Sequence, residues 1–434
     1  PGGVVSGVPN PNPNSAINFT NGGLDITTTT GGMGFVAFGG FGPGSLAVTG
    51  SGNKINSGGD GLLVAGTNVG ASGITFDSIS AVSTVNAAGV LLSGLDLTGD
   101  INIGGLRDTG YTGALLAGLT GAGVVNFTGT TDLDVSYRGF DIGGPVVGTI
   151  NIANVAGSTL TIDGGEGGIV TNGLQGGIIN VGGNGGLASI GATTSTSGSA
   201  ISLSGGNDLI NATLNYKGSI KVDAGSVLGA GSDWTHLDLS GSVTSTTSSM
   251  AFGFFGANGV YDISSTIAHT GGIGVAFNGT SQGTATFSGT SKTFSTGATD
   301  AIVRSAGIGT LAFTNGGLGI TTGFGYGINA STTGAGRFSV SGPNNTITTT
   351  TGSALRLDGA TLGADGVNFS SISVNGAGTG ILLNNVSGGA VNLGTVNLQG
   401  ITGANARGVD ISGTLGTTVG FTSLNIGIAA SATN

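Results

Sequence analysis

The chain has 434 residues, of which 94 are Gly, 38 % are hydrophobic and only 7 % are charged. The apolar share exceeds that of disordered chains, and Gly does not recur at every third residue as it does in collagen. Only 10 residues are Lys or Arg, against 20 Asp and Glu, so no row of cations is available to neutralise phosphates. These numbers argue against a disordered chain, a collagen and a nucleic-acid-binding protein.

The absence of Cys fits export through a bacterial envelope. No stretch of 18 apolar residues occurs, so we expect no transmembrane segment. We therefore expect a secreted protein, located outside the cell or on the bacterial cell surface.

Residues 1–15 differ in composition from the rest of the chain. Pro9, Pro11 and Pro13 alternate with Asn, and Pro cannot donate to a strand ladder. We interpret residues 1–15 as an extended arm or linker. Residues 16–430 are predicted to form one repeat domain, less regular at about 170–270, and residues 431–434 to form a tail.

A short motif recurs along the repeat domain. A Gly or Ala precedes an apolar–any–apolar triplet about every 27 residues, and a fixed period of this length is typical of repeat architectures. In the C-terminal third the motif begins at Gly274, Ala301, Gly327, Ala354, Gly380 and Gly408.

Each period contains three short apolar triplets with strand character, and helical periodicity is nearly absent. We predict an all-β parallel β-helix, or β-solenoid, of about fifteen coils with three strands per coil. In the last coils the three series are Leu355–Leu357, Ile381–Leu383 and Val409–Ile411; Val367–Phe369, Val391–Leu393 and Val419–Phe421; and Ile372–Val374, Val396–Leu398 and Leu424–Ile426.

Alternation along a strand predicts that the first and third residues of each triplet point inward. The second strands then supply a core aromatic stack of Phe287, Phe313, Phe369 and Phe421. Some middle, outward positions are apolar and would form either an interaction surface or a strip covered by a loop or by the N-terminal arm. These positions are Leu63, Leu91, Leu115 and Leu382.

A longer repeat overlies the short one. The segment 19–26 matches 313–320, and 69–79 matches 362–372, at offsets of 292 to 294 residues. About eleven coils therefore recur, which indicates growth by duplication.

Segments such as 345–355 and 380–386 resemble the repeats of large bacterial surface proteins, namely β-strand-repeat proteins and the passenger regions of autotransporter-type adhesins. The resemblance covers nearly all of residues 16–430. It implies export, a right-handed parallel β-helix, and a role in surface structure or adhesion.

The sequence offers little for catalysis. His236 and His269 are the two His residues, and both are expected to be isolated on the surface or in loops. We expect no catalytic residues, no cofactor and no metal. The densest polar region is 207–238, which is either a loop-built site for a glycan or partner, or a set of charges that solubilises an insertion. Its members are Asp208, Lys217, Lys221, Asp223, Asp233, Trp234, His236 and Asp238.

We therefore expect a non-enzymatic structural β-solenoid of a bacterial surface fibre, with a second copy of itself as partner in a head-to-tail homopolymer. One alternative is an adhesin that binds a host, glycan or abiotic surface without polymerising. The other is a polysaccharide-degrading enzyme, which would require the carboxylates of region 207–238 and Trp234 to converge in a groove.

Overall fold

A computed structural model describes residues 16–39, 44–173, 176–204, 210–231, 234–403 and 405–428. The described residues contain 45 strands and no helix. The expected arm 1–15 and tail 431–434 lie outside them. The chain divides into two compact units, an N-terminal unit (residues 1–221 with 233–236) and a C-terminal unit (222–232 with 237–434).

The strands of the N-terminal unit follow one another in threes and form three parallel ladders, here called faces A, B and C and numbered in chain order. Strand β22 spans both B and C. Face A consists of β3 (Phe35–Phe38), β6 (Leu62–Ala65), β9 (Ala88–Leu97), β12 (Thr112–Gly121), β15 (Arg138–Val146), β18 (Gly167–Asn172) and β21 (Ile201–Ser204). Face B consists of β1 (Ala16–Phe19), β4 (Ser45–Val48), β7 (Asn68–Phe76), β10 (Ile101–Ile103), β13 (Val124–Phe127), β16 (Thr149–Ile152), β19 (Gly177–Val181) and β22 (Ile210–Val222). Face C consists of β2 (Asp25–Thr30), β5 (Lys54–Gly58), β8 (Ser78–Ala81), β11 (Leu106–Asp108), β14 (Thr130–Asp134), β17 (Thr159–Asp163) and β20 (Leu187–Ile190).

The C-terminal unit repeats the three ladders. The long strand β24 (Trp234–Ser245) spans faces B and C, and its residues from Leu237 onward belong to this unit. Face A consists of β23 (Leu228–Ala230), β25 (Met250–Phe254), β28 (Ile273–Phe277), β31 (Ile302–Arg304), β34 (Ile328–Ala330), β37 (Leu355–Asp358), β40 (Thr379–Asn384) and β43 (Arg407–Ser412). Face B consists of β26 (Val260–Ile263), β29 (Thr284–Phe287), β32 (Thr310–Phe313), β35 (Arg337–Val340), β38 (Leu362–Asn368), β41 (Val391–Asn392) and β44 (Val419–Gly420). Face C consists of β27 (Thr266–Gly271), β30 (Lys292–Thr296), β33 (Leu318–Thr322), β36 (Thr346–Thr349), β39 (Ser371–Asn375), β42 (Thr395–Ile401) and β45 (Ser423–Ile428).

The predicted fold is confirmed as a parallel β-solenoid of about fifteen turns with three strands per turn. The predicted pairings are also present. On face A, Leu355 pairs with Ile381, which pairs with Val409. On face C, Ile372 pairs with Val396. These strands therefore stack on those of the previous turn without a shift, because a one-residue slip would turn every apolar side chain outward.

The interior is formed by like positions of successive turns. On face A of the N-terminal unit, Phe35, Leu62 and Val90 occupy one inward column, and each is at most 1 % exposed. A row of small residues, which includes Gly61, lies beside this column. A Cβ on Gly61 would lie 2.5 Å from the Gly89 carbonyl oxygen and 2.7 Å from a methyl of Ile79. The Gly before each face A triplet thus lets two sides of the turn approach closely.

The longer repeat of the sequence is matched by repeated backbone geometry. Asn21, Gly22 and Gly23 have positive φ of 78°, 72° and 75°, and the equivalents 315–317 have 63°, 69° and 68°. These left-handed conformations favour Gly and Asn. The corner at residues 21–23 and the equivalent corner at residues 315–317 therefore have the same backbone conformation.

Among the described residues, no helix has the length and apolar composition that a membrane crossing needs.

Candidate binding surfaces

The polar region 207–238 is only partly described. Asp208 and Asp233 lie outside the described residues, and Trp234 begins β24. Lys217 and Lys221 are exposed on β22, with three residues between them. β22 passes from face B to face C between Tyr216 and Ser219, so the two lysines do not lie on one face.

The other members of this region lie on β24 or before it. His236 is half-buried and Asp238 is exposed, and they are two residues apart on the same side of β24. Asp223 is exposed and accepts a hydrogen bond from the Thr246 hydroxyl at 2.8 Å. A loop-built binding site in this region stays a prediction.

The predicted aromatic stack is present in part. The rings of Phe287 and Phe313 are stacked, with centroids 4.9 Å apart and planes inclined by 16°. Phe369 is 5 % exposed, and Phe421 is half-buried in the last described turn. Phe287, Phe313 and Phe369 belong to the interior and stabilise the stacking of turns.

The predicted apolar strip lies on face A of the N-terminal unit. Leu63, Leu91 and Leu115 pair with one another in consecutive turns. Leu63 is 8 % exposed, and the other two are half-buried. The strip ends at Asp141, which pairs with Leu115 and binds Arg138 at 2.6 Å. Leu382, in the C-terminal unit, lies between Arg356 and Asp410 and so forms no apolar strip.

Sequence reasoning missed a ladder of Asn side chains on face B of the N-terminal unit. In each step the Nδ2 amide of one Asn donates to the Oδ1 of its equivalent one turn earlier, at 2.8–3.0 Å. All are half-buried, and they are Asn102, Asn126, Asn151, Asn180 and Asn215. Because each amide satisfies its neighbour, the ladder fixes the register of the face.

Face C of the C-terminal unit carries a different outward surface, which we call the hydroxyl face. In the face C strands from β27 to β45, two outward positions of each strand pair with the equivalent positions of the neighbouring turn. All are small, uncharged and exposed or half-exposed. One column is Ala268, Thr293, Gly319, Thr346, Ser371, Thr395 and Ser423, and the other is Thr270, Ser295, Thr321, Thr348, Ser373, Asn397 and Asn425.

The same face of the N-terminal unit is charged. Its outward positions include Asp25, which pairs with Lys54, and Arg107, which pairs with Asp132. The Arg107 Nε lies 3.7 Å from an Asp132 carboxylate oxygen. The hydroxyl face is therefore a property of the C-terminal unit and is not a general consequence of the repeat.

Two cations lie inside the C-terminal unit. Lys292 is 0 % exposed and takes an inward position between Ile267 and Leu318. Its Nζ donates to the carbonyl oxygens of Thr314 at 3.0 Å and Gly316 at 2.6 Å, and to that of Gly289. Burial lowers the pKa of Lys292 to about 8.

Arg304 is the second buried cation, 1 % exposed, in the inward column that contains Phe277 and Ala330. Its guanidinium donates to the carbonyl oxygens of Gly307 and Ser331, each at 2.9 Å, and lies 5.5 Å from the Phe277 ring centre. Burial lowers the pKa of Arg304 to about 10. Alternation along the strand places both residues at inward positions, but the sequence does not show which groups pair with the buried charges.

His269 is 2 % exposed, so the expectation that it lies on the surface or in a loop is wrong. It occupies an inward column of face C beside Phe294. Its Nε2 is 2.9 Å from the Gly272 carbonyl oxygen, which can only accept, so Nε2 carries the proton. Nδ1 then accepts from the Ser245 hydroxyl at 3.2 Å. Burial lowers the pKa of His269.

The N-terminal unit contains a buried acidic residue, Asp108, which is 0 % exposed. Its carboxylate accepts from the Ser83 hydroxyl at 2.6 Å, from the Ser83 amide at 3.0 Å and from the Gly110 amide at 3.1 Å. Burial raises the pKa of Asp108, and these donors oppose that rise. The carboxylate thus fastens adjacent turns from inside.

No protein-family model, no curated protein and no solved structure matches this chain.

Proposed function

We propose that the chain is a non-enzymatic structural segment of an extracellular bacterial surface fibre, extended by stacking of a second copy onto the last turn that the structure describes, residues 405–428. The supporting observation is that inward-facing apolar side chains of that turn are exposed. Leu424 and Ile426 are each 43 % exposed, whereas their partners one turn earlier, Val396 and Leu398, are each 0 % exposed. These inward positions need another turn to be buried.

The backbone of the same turn also favours stacking. Among the described strands, β43, β44 and β45 pair on one side only, with β40, β41 and β42. An unpaired strand edge offers a row of amide donors and carbonyl acceptors to a further strand. A head-to-tail contact between different surfaces propagates when it does not close into a ring.

A structural role also agrees with where four ionisable groups with shifted pKa values lie. Lys292, Arg304, Asp108 and His269 are all at most 2 % exposed. Each is hydrogen-bonded to a main-chain or hydroxyl group of a neighbouring turn, so they are placed to stabilise stacking rather than to meet a substrate.

The experiment is sedimentation velocity across a hundredfold range of protein concentration, followed by negative-stain electron microscopy. The proposal expects species that grow with concentration and unbranched filaments. A monomer at every concentration would contradict it. The proposed extracellular location is tested by adding protease to intact cells. The protease should cleave the protein without lysis of the cells.

A further inference from the structure

The first turn that the structure describes has exposed inward residues, as the last one has. On face B, Ile17 is 46 % exposed, whereas Leu46, its partner in the next turn, is 4 % exposed. On face C, Ile26 is half-buried and its partner Ile55 is 2 % exposed. Among the described strands, β1 and β2 pair only with a later turn, through β4 and β5. The free edges of β1 and β2 therefore leave apolar side chains uncovered.

The C-terminal unit shows what covers a turn of this sequence. By the longer repeat, Phe19 and Ile26 correspond to Phe313 and Ile320. The last two are 1 % and 2 % exposed, because each pairs with an apolar residue of the preceding turn. Those covering residues are Phe287 and Phe294. A parallel solenoid turn with apolar inward side chains is therefore the surface that fits β1 and β2.

The last described turn offers a surface of this kind. Two inward columns lead from the buried Phe313 and Ile320 to Val419, which is half-buried, and Leu424, which is 43 % exposed. The face B column is Phe313, Val340, Val367, Val391 and Val419. The face C column is Ile320, Ile347, Ile372, Val396 and Leu424. Val419 and Leu424 thus occupy the columns that correspond to Phe19 and Ile26.

The free edges of the two turns also match in direction. Among the described strands, β44 and β45 pair only with an earlier turn, and they lie on faces B and C, as β1 and β2 do. The ladders on both faces are parallel. An edge that is open towards later turns in one copy can therefore pair with an edge that is open towards earlier turns in another, which adds strands to both sheets.

Given the proposed function, on which this inference rests, we infer that the second copy binds through β1 and β2. These strands pair in parallel with β44 and β45 of the first copy, with Phe19 against Val419 and Ile26 against Leu424. The contact buries inward apolar side chains of both copies at once, and the removal of this area from water favours association.

The outward residues agree with this register. Asp25 then lies against Ser423, and Thr27 lies against Asn425, so no like charges meet across the contact. A slip of one residue would set the outward Asp25 or Thr27 against the inward Leu424, and the apolar positions of the two copies would no longer face each other. One register is therefore favoured.

The test is disulfide capture between two variants of the full chain, which has no Cys of its own. Chains carrying Thr27→Cys are mixed with chains carrying Asn425→Cys, at concentrations where sedimentation shows association, and are then oxidised. Both positions are exposed, and the inferred register pairs them at about the Cα separation that a disulfide needs. We expect a covalent dimer on a non-reducing gel, with the two Cys peptides joined in the mass spectrum.

The matched control uses Asn56→Cys in place of Thr27→Cys. Asn56 is exposed and pairs with Thr27, so it lies in the same outward column one turn further from the edge. Little dimer should form with Asn425→Cys, because a whole turn separates the two thiols.

A charge at the inferred contact should also weaken association. Ile17→Lys should shift sedimentation profiles towards the monomer by about tenfold in concentration. Val85→Lys changes a residue that is 72 % exposed in a connecting segment of the same unit, and it should associate as the wild type does. Circular dichroism should show the same fold for all variants.

Two results would overturn this inference and leave the proposed function standing. One is association in which the control pair is captured as well as the pair of Thr27→Cys and Asn425→Cys. The other is unaltered association of Ile17→Lys. A protein that stays monomeric at every concentration would instead contradict the proposed function, and this inference with it.

Discussion

Asn53 and Asn345 lie 292 residues apart and make the same hydrogen bonds in equivalent turns of the two units. Each side chain is 1 % exposed. Its Oδ1 accepts from an amide of the preceding turn and its Nδ2 donates to a carbonyl of the following turn, all at 3.0 Å, so one amide fastens three turns. The partners are Leu24 and Thr75 for Asn53, and Leu318 and Asn368 for Asn345.

Removing this amide should destabilise either unit. Asn53→Ala and Asn345→Ala each leave buried backbone groups without partners, so we expect a loss of about 2–4 kcal/mol in the free energy of unfolding. Urea denaturation followed by circular dichroism measures it. Asn56→Ala, at an exposed position of β5, three residues after Asn53, should change stability by less than about 0.5 kcal/mol. Equal effects at Asn53 and Asn56 would contradict the assignment.

The buried Lys292 predicts a gain of stability at alkaline pH. Its pKa is about 8 in the folded chain against 10.5 for an ordinary lysine, so between these values the unfolded chain holds more protons. Stability then rises with pH in this window. The wild type should gain about 1–3 kcal/mol between pH 7.5 and 10 relative to Lys292→Met, measured by urea denaturation.

Lys54→Met is the control for this prediction, because Lys54 is exposed on β5. This variant should keep the alkaline gain of the wild type. A gain of equal size in Lys292→Met would show that other groups cause it.

The buried His269 predicts a loss of stability in acid. Its pKa is lowered by burial, so the unfolded chain takes up a proton at a higher pH than the folded chain. The stabilisation is present above pH 6.5 and is lost as the pH falls through the folded pKa. Melting temperatures at pH 7.5 and 5.0 should therefore differ less in His269→Phe than in the wild type. A difference in His269→Phe as large as that of the wild type would refute the assignment.

The exposed last turn predicts which residues control association. Leu424→Lys and Ile426→Glu put charge where a stacked turn would be buried, so each should shift sedimentation profiles towards the monomer by at least tenfold in concentration. Ile308→Lys changes a residue of similar exposure, 47 %, in a connecting segment and should leave association unchanged. Unaltered association in the Leu424 and Ile426 variants would place the contact elsewhere.

The sequence predicted the ladder pairings well, because apolar alternation and a constant period leave one register that buries Leu355, Ile381 and Val409 in line. It did not predict how the buried charges of Lys292 and Arg304 are satisfied. Their burial depends on carbonyl oxygens that the following turns direct inward, such as those of Gly316 and Ser331. No residue pattern encodes the direction of a main-chain carbonyl.

Of the apolar strip and the hydroxyl face, only the apolar strip could be predicted from the sequence. The apolar strip through Leu63 and Leu91 follows from the period. The hydroxyl face emerges only when the outward residues of successive turns are aligned across the C-terminal unit and compared with the charged Arg107 and Asp132 of the other unit. Single turns there contain ordinary surface Ser and Thr.

The central claim is that successive turns are parallel and in register, and engineered disulfides test it most directly, since the chain has no Cys of its own. Thr321 and Thr348 are paired one turn apart, at about the Cα separation a disulfide needs. The variant Thr321→Cys/Thr348→Cys should oxidise to an intrachain disulfide, detected by mass spectrometry of peptides. Thr321→Cys/Thr346→Cys, a diagonal pair, should not. Preferential cross-linking of the diagonal pair would contradict the stacked, in-register solenoid.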